Sequence, residues 1–407
     1  MLPTRPLRTV LLLTCATVAA VQLSGQAPVI RDSAGIRIVE NSHPRWTPSQ
    51  TPHLASAPSL VIGTQPGEAY ELSHVAGALR LSDHRIVVGD GGSSQLRFYD
   101  AEGTFLRSIG RHGDGPGEFA GLSQLSQFVG DSIVAGSATR LSVFTAAGVY
   151  ARRVDAMIPP VTLPVGEPMI QGLFAGGTSI IGSIPHPMES GHHPAAGMRW
   201  IDTIHLALFD RHNTSLKTLA ALPARMLEWQ GLDLLFVGFS PQLLTASTGR
   251  RWFAGFGSEY SVRVYRADGQ LAQIIRRQWD PEPVDYDAWT RLWLKSDDTL
   301  TASEAAIGRA ALRKSSQVSA LPAFAALIAD HSGRLWVRES QLADWVRNSK
   351  VAAMSSRWNV FAVDGQWLGV VAMPPRFTPT DIGPDYVLGV ARDGDGVESV
   401  QLYPLRI

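Results

Sequence analysis

One short pattern recurs five times along this chain and restricts its fold more than any other feature. Two apolar or aromatic residues are followed by three mixed residues and then by Gly or Asn. The copies are Phe98–Gly103, Val143–Gly148, Leu208–Asn213, Val264–Gly269 and Val360–Gly365. Each reads as a strand end entering a hairpin turn, with Gly or Asn at the position that needs φ > 0. A second pattern, a turn followed by a short β-rich run, begins at Asp83, Gly130, Gly177, Gly249, Gly333 and Gly383. Together the two make an up-and-down meander of four short strands. Such a unit cannot bury both its faces alone and must stack against neighbours.

The fold class that follows is all-β, a six-bladed β-propeller. The sixth unit reaches only a third strand, about 398–403, before the sequence ends at Ile407. Leu60–Gly63, followed by Gly67–Tyr70, resembles Leu106–Gly110 and its continuation Gly117–Phe119. Residues 58–70 are therefore expected to supply the outer strand of the last blade. Closing the ring in this way removes free sheet edges. The expected organisation is a signal peptide over 1–27, an N-terminal extension over 28–57 and the propeller over 58–407. Ile36–Glu40 reads as a strand that lies outside a blade or reaches toward a partner.

The run Gly110–Phe119, coming after Phe98–Gly103, resembles an NHL-type repeat. Over about 58–407 the chain is similar to bacterial six-bladed β-propeller proteins of the NHL/TolB-like group. The resemblance implies the fold and an exported setting. It implies little about function, because propellers host many unrelated activities. Insertions in units three to five interrupt the compact repeat.

Charge excludes one class of partner. Lys and Arg together number 36, as do Asp and Glu. A neutral chain without a basic stripe has no footprint for nucleic acid. Arg5 and Arg8 precede an apolar run from Val10 to Val21, and small residues lead to Ala27. This is the layout of a secretory signal cleaved after Ala27, which places the mature protein in the periplasm or outside the cell. The apolar run is too short for a confident membrane span, and no other segment qualifies. The single cysteine, Cys15, lies inside the signal. A lipobox at Leu12–Cys15 would anchor the protein by a lipid, but Thr14 fits that motif poorly.

Candidate sites follow from the loops. The insertions 182–204, 281–321 and about 340–356 fall on one face of the meander and are expected to cap one mouth of the central channel. Residues 281–321 read as helical, with Val284, Trp289, Leu292 and Trp293 at helical spacing and a capping box at Thr301–Glu304. Trp252 and Trp336 read as core, whereas Trp289, Trp293 and Trp345 either pack the cap or line a mouth. His186, Glu189, His192 and His193 form the densest ligand cluster, suited to Zn²⁺ or a similar ion. They sit among Pro and Gly, so exposed loop histidines are the competing reading. Asp90, Gln95, Arg111, Asp114 and Glu118 are the candidate ligand-binding residues of the channel mouth. Asp381 and Asp385 flank the inner strands of the last unit. Ca²⁺ would need several such oxygens converging from different blades, while Asp is also an ordinary turn residue.

The glycine-rich loop Gly113-x-Gly115-x-Gly117 lacks the helix start that a phosphate cradle requires. It reads as a tight turn with Phe119 wedged between sheets. No nucleophile elbow, zinc-protease motif or mature cysteine occurs. The favoured function is a binding or scaffold module of the cell envelope, for a small molecule, peptide, glycan or envelope protein. The alternative is a metal-dependent hydrolase, lactonase- or esterase-like, with Ca²⁺ or Zn²⁺ at the central channel.

Overall fold

The computed structural model describes residues 27–406 apart from 129, 157–162, 165, 186–194, 231–232, 297–302, 304–305, 307–317 and 346–355. The expected signal segment with Cys15, and the cluster His186, Glu189, His192 and His193, lie outside the described residues. So does most of the expected second helix that opens at Thr301.

The described residues form six antiparallel sheets that follow one another along the chain. The first contains Val75–Arg80, Ile86–Asp90, Gln95–Tyr99 and Phe105–Ile109. The second contains Gln124–Phe128, Ser132–Gly136, Arg140–Phe144 and Tyr150–Asp155. The third, with Gly166–Leu173, Ser179–Pro185, Arg199–Phe209 and Ser215–Gln230, gains a fifth strand at Asp233–Phe236. The fourth is Leu244–Ser247, Arg251–Gly255, Ser261–Arg266 and Leu271–Arg277. The fifth is Phe324–Ala329, Leu335–Glu339, Arg357–Phe361 and Trp367–Ala372. The sixth is Phe377–Ile382, Tyr386–Arg392 and Glu398–Arg406. Leu60–Ile62 pairs antiparallel with Leu402–Val400 of that last strand, and His53–Leu54 with Arg406–Leu405. An α-helix, Tyr286–Ser296, lies between the fourth and fifth sheets.

Buried strands alternate between two cores. Ile86 and Val88 enter a cluster with Leu388, Val400 and Leu402 of the sixth sheet. Val87, between them, joins Phe119, Ile133 and Phe144 on the side of the second sheet. Trp252 packs toward the third sheet and its neighbour Phe253 toward the fifth. Trp336 packs toward the sixth sheet, and Leu335 and Val337 toward the fourth. A strand alternates faces at every residue, so a continuous apolar run means that both faces are buried. Six clusters result, one for each consecutive pair of sheets and one between the sixth and the first.

Hydrogen bonds run along the same cycle. The Ser82 amide donates to Asp131 of the second sheet's turn, at 3.1 and 3.2 Å. The Ile170 amide donates to Ala138 O at 2.7 Å, the Ala175 amide to Gly249 O at 2.8 Å and the Ala323 amide to Gly257 O at 2.9 Å. The His331 amide donates to Ile382 O at 3.1 Å, and the Arg80 amide to Asp381 Oδ2 at 2.9 Å.

Residues 28–57 act as a strap. Ile36–Asn41 adds to the outer edge of the fourth sheet in parallel with Leu271–Arg277, and Val29–Ser33 folds back on it. Trp46 then docks on the fifth sheet, its amide donating to Leu368 O at 2.7 Å. Asn41 is the knot: its Nδ2 donates to Arg276 O and Gly365 O, and its Oδ1 accepts the Trp367 amide at 2.8 Å. The segment thus ties the fourth, fifth and sixth sheets from outside.

The five repeated turn residues, Gly103, Gly148, Asn213, Gly269 and Gly365, all have positive φ. Each turn also presses on the preceding sheet. A Cβ on Gly148 (φ 70°) would lie 2.9 Å from Phe98 Cζ and 3.0 Å from Ile109 Cδ1. Gly396, in the loop between the second and third strands of the sixth sheet, has φ 86° but nothing within 4 Å of its Cβ position. Left-handed backbone costs a side chain about 1–2 kcal/mol, and forced overpacking adds about 1–3 kcal/mol. Gly396→Ala should therefore lower stability by about 1 kcal/mol. Gly148→Val should cost at least twice that, about 2–4 kcal/mol, read from urea unfolding midpoints.

Candidate functional site

A four-stranded meander has two ends. The turns between strands one and two and between three and four lie at one, the turn end. The loops between strands two and three and the links between sheets lie at the other, the crossover end. The long insertions belong to the crossover end. There Phe239 stacks edge-on against Tyr286 and Trp289, with ring centroids 5.4 and 5.1 Å apart, and lies 5.4 Å from Trp345. Leu321 and Trp289 are buried in this seventh cluster. The insertions 281–321 and 340–356 thus meet at Phe239, and of the two readings of Trp289 and Trp345 these contacts support packing.

Three of the expected site residues come together at this end, between the first and second sheets. The link Gly110–Phe119 is folded around Glu118, which accepts the Gly115 amide at 2.8 Å and pairs with Arg111 at 2.6 Å. The amide first and the guanidinium second hold the Glu118 carboxyl below the usual range. Phe119 is wedged between the two sheets, against Phe144 at 5.9 Å, so this link is a structural turn. Asp114 pairs with Arg140. Arg140 reaches on to Asp155 at 3.1 Å, and Arg153 meets the same carboxylate at 2.8 Å. Asp114, Glu118, Arg140, Arg153 and Asp155 border a cavity of about 410 Å³ with Ser137 and Thr139. Its wall alternates in sign, which suits a neutral polar ligand better than an isolated cation or anion.

Asp90 and Gln95 are cross-strand partners at the crossover end of the first sheet but do not join that cavity. Asp90 is 1% exposed. It pairs with buried Arg97 at 2.6 Å and accepts the Ser73 amide and the Ser93 hydroxyl. Arg97 in turn donates to Glu68 O and Glu71 O, and Tyr99 donates to Ala69 O. Burial drives the Tyr99 phenol up to about 12. This network fixes the segment that follows Leu60–Ile62. Among the described residues, no group of three or more His, Cys, Asp and Glu is placed to hold a metal ion.

The turn end carries a second polar cluster that the sequence only half suggests. Asp381, at the end of an inner strand, accepts His331 Nε2 at 2.6 Å on Oδ1. Its Oδ2 accepts the Tyr386 hydroxyl at 2.8 Å and the Arg80 amide at 2.9 Å. The Arg80 guanidinium lies over the Tyr386 ring, 4.8 Å from its centroid, and Asp385 stands 4.0 Å from Arg80. Asp381 and Asp385 were legible as carboxylates beside inner strands. His331 sits in an ordinary turn, Asp330–Gly333, and nothing in its neighbours marks it.

The hydrogen bond from Asp381 raises His331 above its ordinary 6.5, with the charges of Asp381, Asp330 and Asp131 acting the same way against partial burial. A histidine raised on folding stabilises the protein fully below about 6.5 and loses that effect as pH rises through the folded value. Unfolding midpoints should therefore fall as pH is raised from 6.5 across the folded titration. His331→Gln should flatten this part of the profile, and an NMR titration should place the wild-type ring above the ordinary histidine range.

No family model and no curated protein matches this chain. Among solved structures it is similar to a member of the DUF4221 family from Bacteroides vulgatus, with a TM-score of 0.52 and 10% identity over 87% of this chain and 98% of that one. It is also similar to a protein of Bacteroides fragilis described as exported, at a TM-score of 0.47 and 11% identity, covering 91% of this chain and 99% of that one. A gluconolactonase of Xanthomonas campestris matches at a TM-score of 0.40 and 12% identity, covering 83% of this chain and 88% of that one. At these identities the likeness speaks to fold alone, and the fold is β-propeller-like.

Proposed function

We propose that this chain is an exported six-bladed β-propeller of the NHL/TolB-like group that works as a binding or scaffold module of the cell envelope. Each of the six sheets is one blade. The cycle of interface clusters, including the one between the sixth and first sheets, supports a closed ring. So does the pairing of Leu60–Ile62 with Val400–Leu402. The basic, apolar and small-residue order of 1–27 supports export to the periplasm or beyond. Among the described residues no helix is long and apolar enough to cross a membrane.

The observation that carries the binding reading is the state of the carboxylates. Asp90, Glu118 and Asp114 are each engaged by an arginine, Arg97, Arg111 and Arg140 respectively. A hard cation needs several oxygens free to converge on it. These oxygens are committed to guanidinium groups and backbone amides instead. The cavity beside Asp114 and Glu118, with alternating charge and three hydroxyl residues, Ser137, Thr139 and Ser142, offers donors and acceptors to a peptide or a glycan.

The test sets this reading against a metal-dependent hydrolase. EDTA-treated protein is titrated calorimetrically with Ca²⁺ and Zn²⁺ and assayed for lactone and ester turnover. The binding module takes up neither ion stoichiometrically and turns over neither substrate. Stoichiometric metal with accompanying turnover, both lost in Asp114→Ala or His192→Ala, would overturn it.

A further inference from the structure

A cavity of about 1090 Å³ lies at the turn end on the outer side of the fourth sheet. Two hairpin turns, Arg266–Gly269 and Ala362–Gly365, form its walls, with the edge of the N-terminal strap beside them. Val264, Ala272 and Val363 give it an apolar floor. Four arginines surround that floor: Arg37, Arg250, Arg251 and Arg266.

These arginines differ from the cationic side chains of the crossover end. None forms an ion pair among the described residues, whereas Arg97, Arg111, Arg140 and Arg153 all do. Arg37 Nε is buried without a hydrogen-bond partner. Arg251 and Arg266 are directly opposed across two antiparallel strands. Like charges in that position are destabilising. Two aspartates also border the cavity, but each turns a carboxylate oxygen to its own hairpin. Asp268 accepts the Gln270 amide at 2.9 Å, and Asp364 accepts the Gln366 amide at 3.1 Å. Arg251 itself is aimed by a hydrogen bond to Val363 O at 2.7 Å.

We propose that this cavity binds an anionic oligosaccharide, its carboxylates met by Arg37, Arg250, Arg251 and Arg266 and its sugar rings laid on the apolar floor. Guanidinium groups present a planar fork that matches a carboxylate. The volume exceeds what a single inorganic anion fills and falls at the upper end of pockets that enclose organic ligands. Acidic sugars combine the two features the walls demand, spaced negative charges and flat, weakly polar ring faces. The strap delivers Arg37 through its parallel pairing with Leu271–Arg277, so the site exists only when the N-terminal extension is docked. The site is separate from the crossover-end cavity, and its test is independent of that one.

Calorimetry of the full mature chain with tetragalacturonate, maltotetraose and inorganic phosphate as probes tests the assignment. Tetragalacturonate should bind, and more weakly as salt is raised. Each lost arginine should weaken binding about tenfold, and Arg250→Gln/Arg266→Gln about a hundredfold. The same double variant removes Arg266 and with it the opposition to Arg251, so its thermal midpoint should hold or rise. That outcome separates lost binding from lost folding. Equal binding of maltotetraose, equal binding of phosphate, no binding of tetragalacturonate, or full affinity in the double variant would each overturn the proposal.

Discussion

Everything in this structure depends on sheets that are apolar on both faces. A sheet with one wet face can stand at the edge of a domain, but a sheet whose strands read Ile86-Val87-Val88 cannot. Each must be covered twice, and its neighbours need the same. A line of such sheets leaves two uncovered ends, and covering the last with the first is the solution that exposes nothing. The cluster of Ala78, Ile86, Val88 and Tyr99 with Tyr386, Leu388 and Val400 occupies that junction. Individual blades need not be well packed internally, because the clusters lie between blades and not within them.

That constraint determines what the polar residues do. Where sheets meet, their turns and links bring backbone amides and charged side chains into close, dry contact. A buried amide without a partner costs about as much as a lost hydrogen bond. Asp131 and Asp381 are used here as acceptors for amides of a neighbouring sheet, Ser82 and Arg80. Asp90 and Arg97 are so deeply buried that either one alone would be an uncompensated charge. Asp131 and Asp381 thus serve as joints between neighbouring sheets.

The repeat was legible in the sequence because hairpin chemistry is local. Five turns announced themselves through Gly or Asn after an apolar pair, and all five have positive φ. In the sixth sheet the pattern has no place to recur, because the strand that pairs with Glu398–Arg406 there is Leu60–Ile62, from the other end of the chain. The strap was legible as a strand in Ile36–Glu40, but its partner was not. Parallel pairing with Leu271–Arg277 joins segments more than two hundred residues apart, and alternation carries no address. Site residues fared likewise. Asp114 and Asp381 were recognisable as carboxylates in suggestive places, but Arg140 and His331, which pair with them, come from other sheets.

Charge pairing divides the two ends of the molecule. With equal numbers of acidic and basic residues, the chain has a partner available for every cation. At the crossover end that pairing is extensive around the 410 Å³ cavity, where Asp114 and Asp155 interlock with Arg140 and Arg153 and Glu118 is held by Arg111. Among the described residues the arginines around the turn-end cavity form no ion pair, while Asp268 and Asp364 are held in their hairpins. A turn aspartate cannot swing to an arginine without giving up the amide that sets the turn, and the turn cannot move without opening the contact of Gly365 with Gln273 and Val39. The packing of neighbouring sheets thus also keeps these aspartates from the arginines, and an external anion is the partner that suits them.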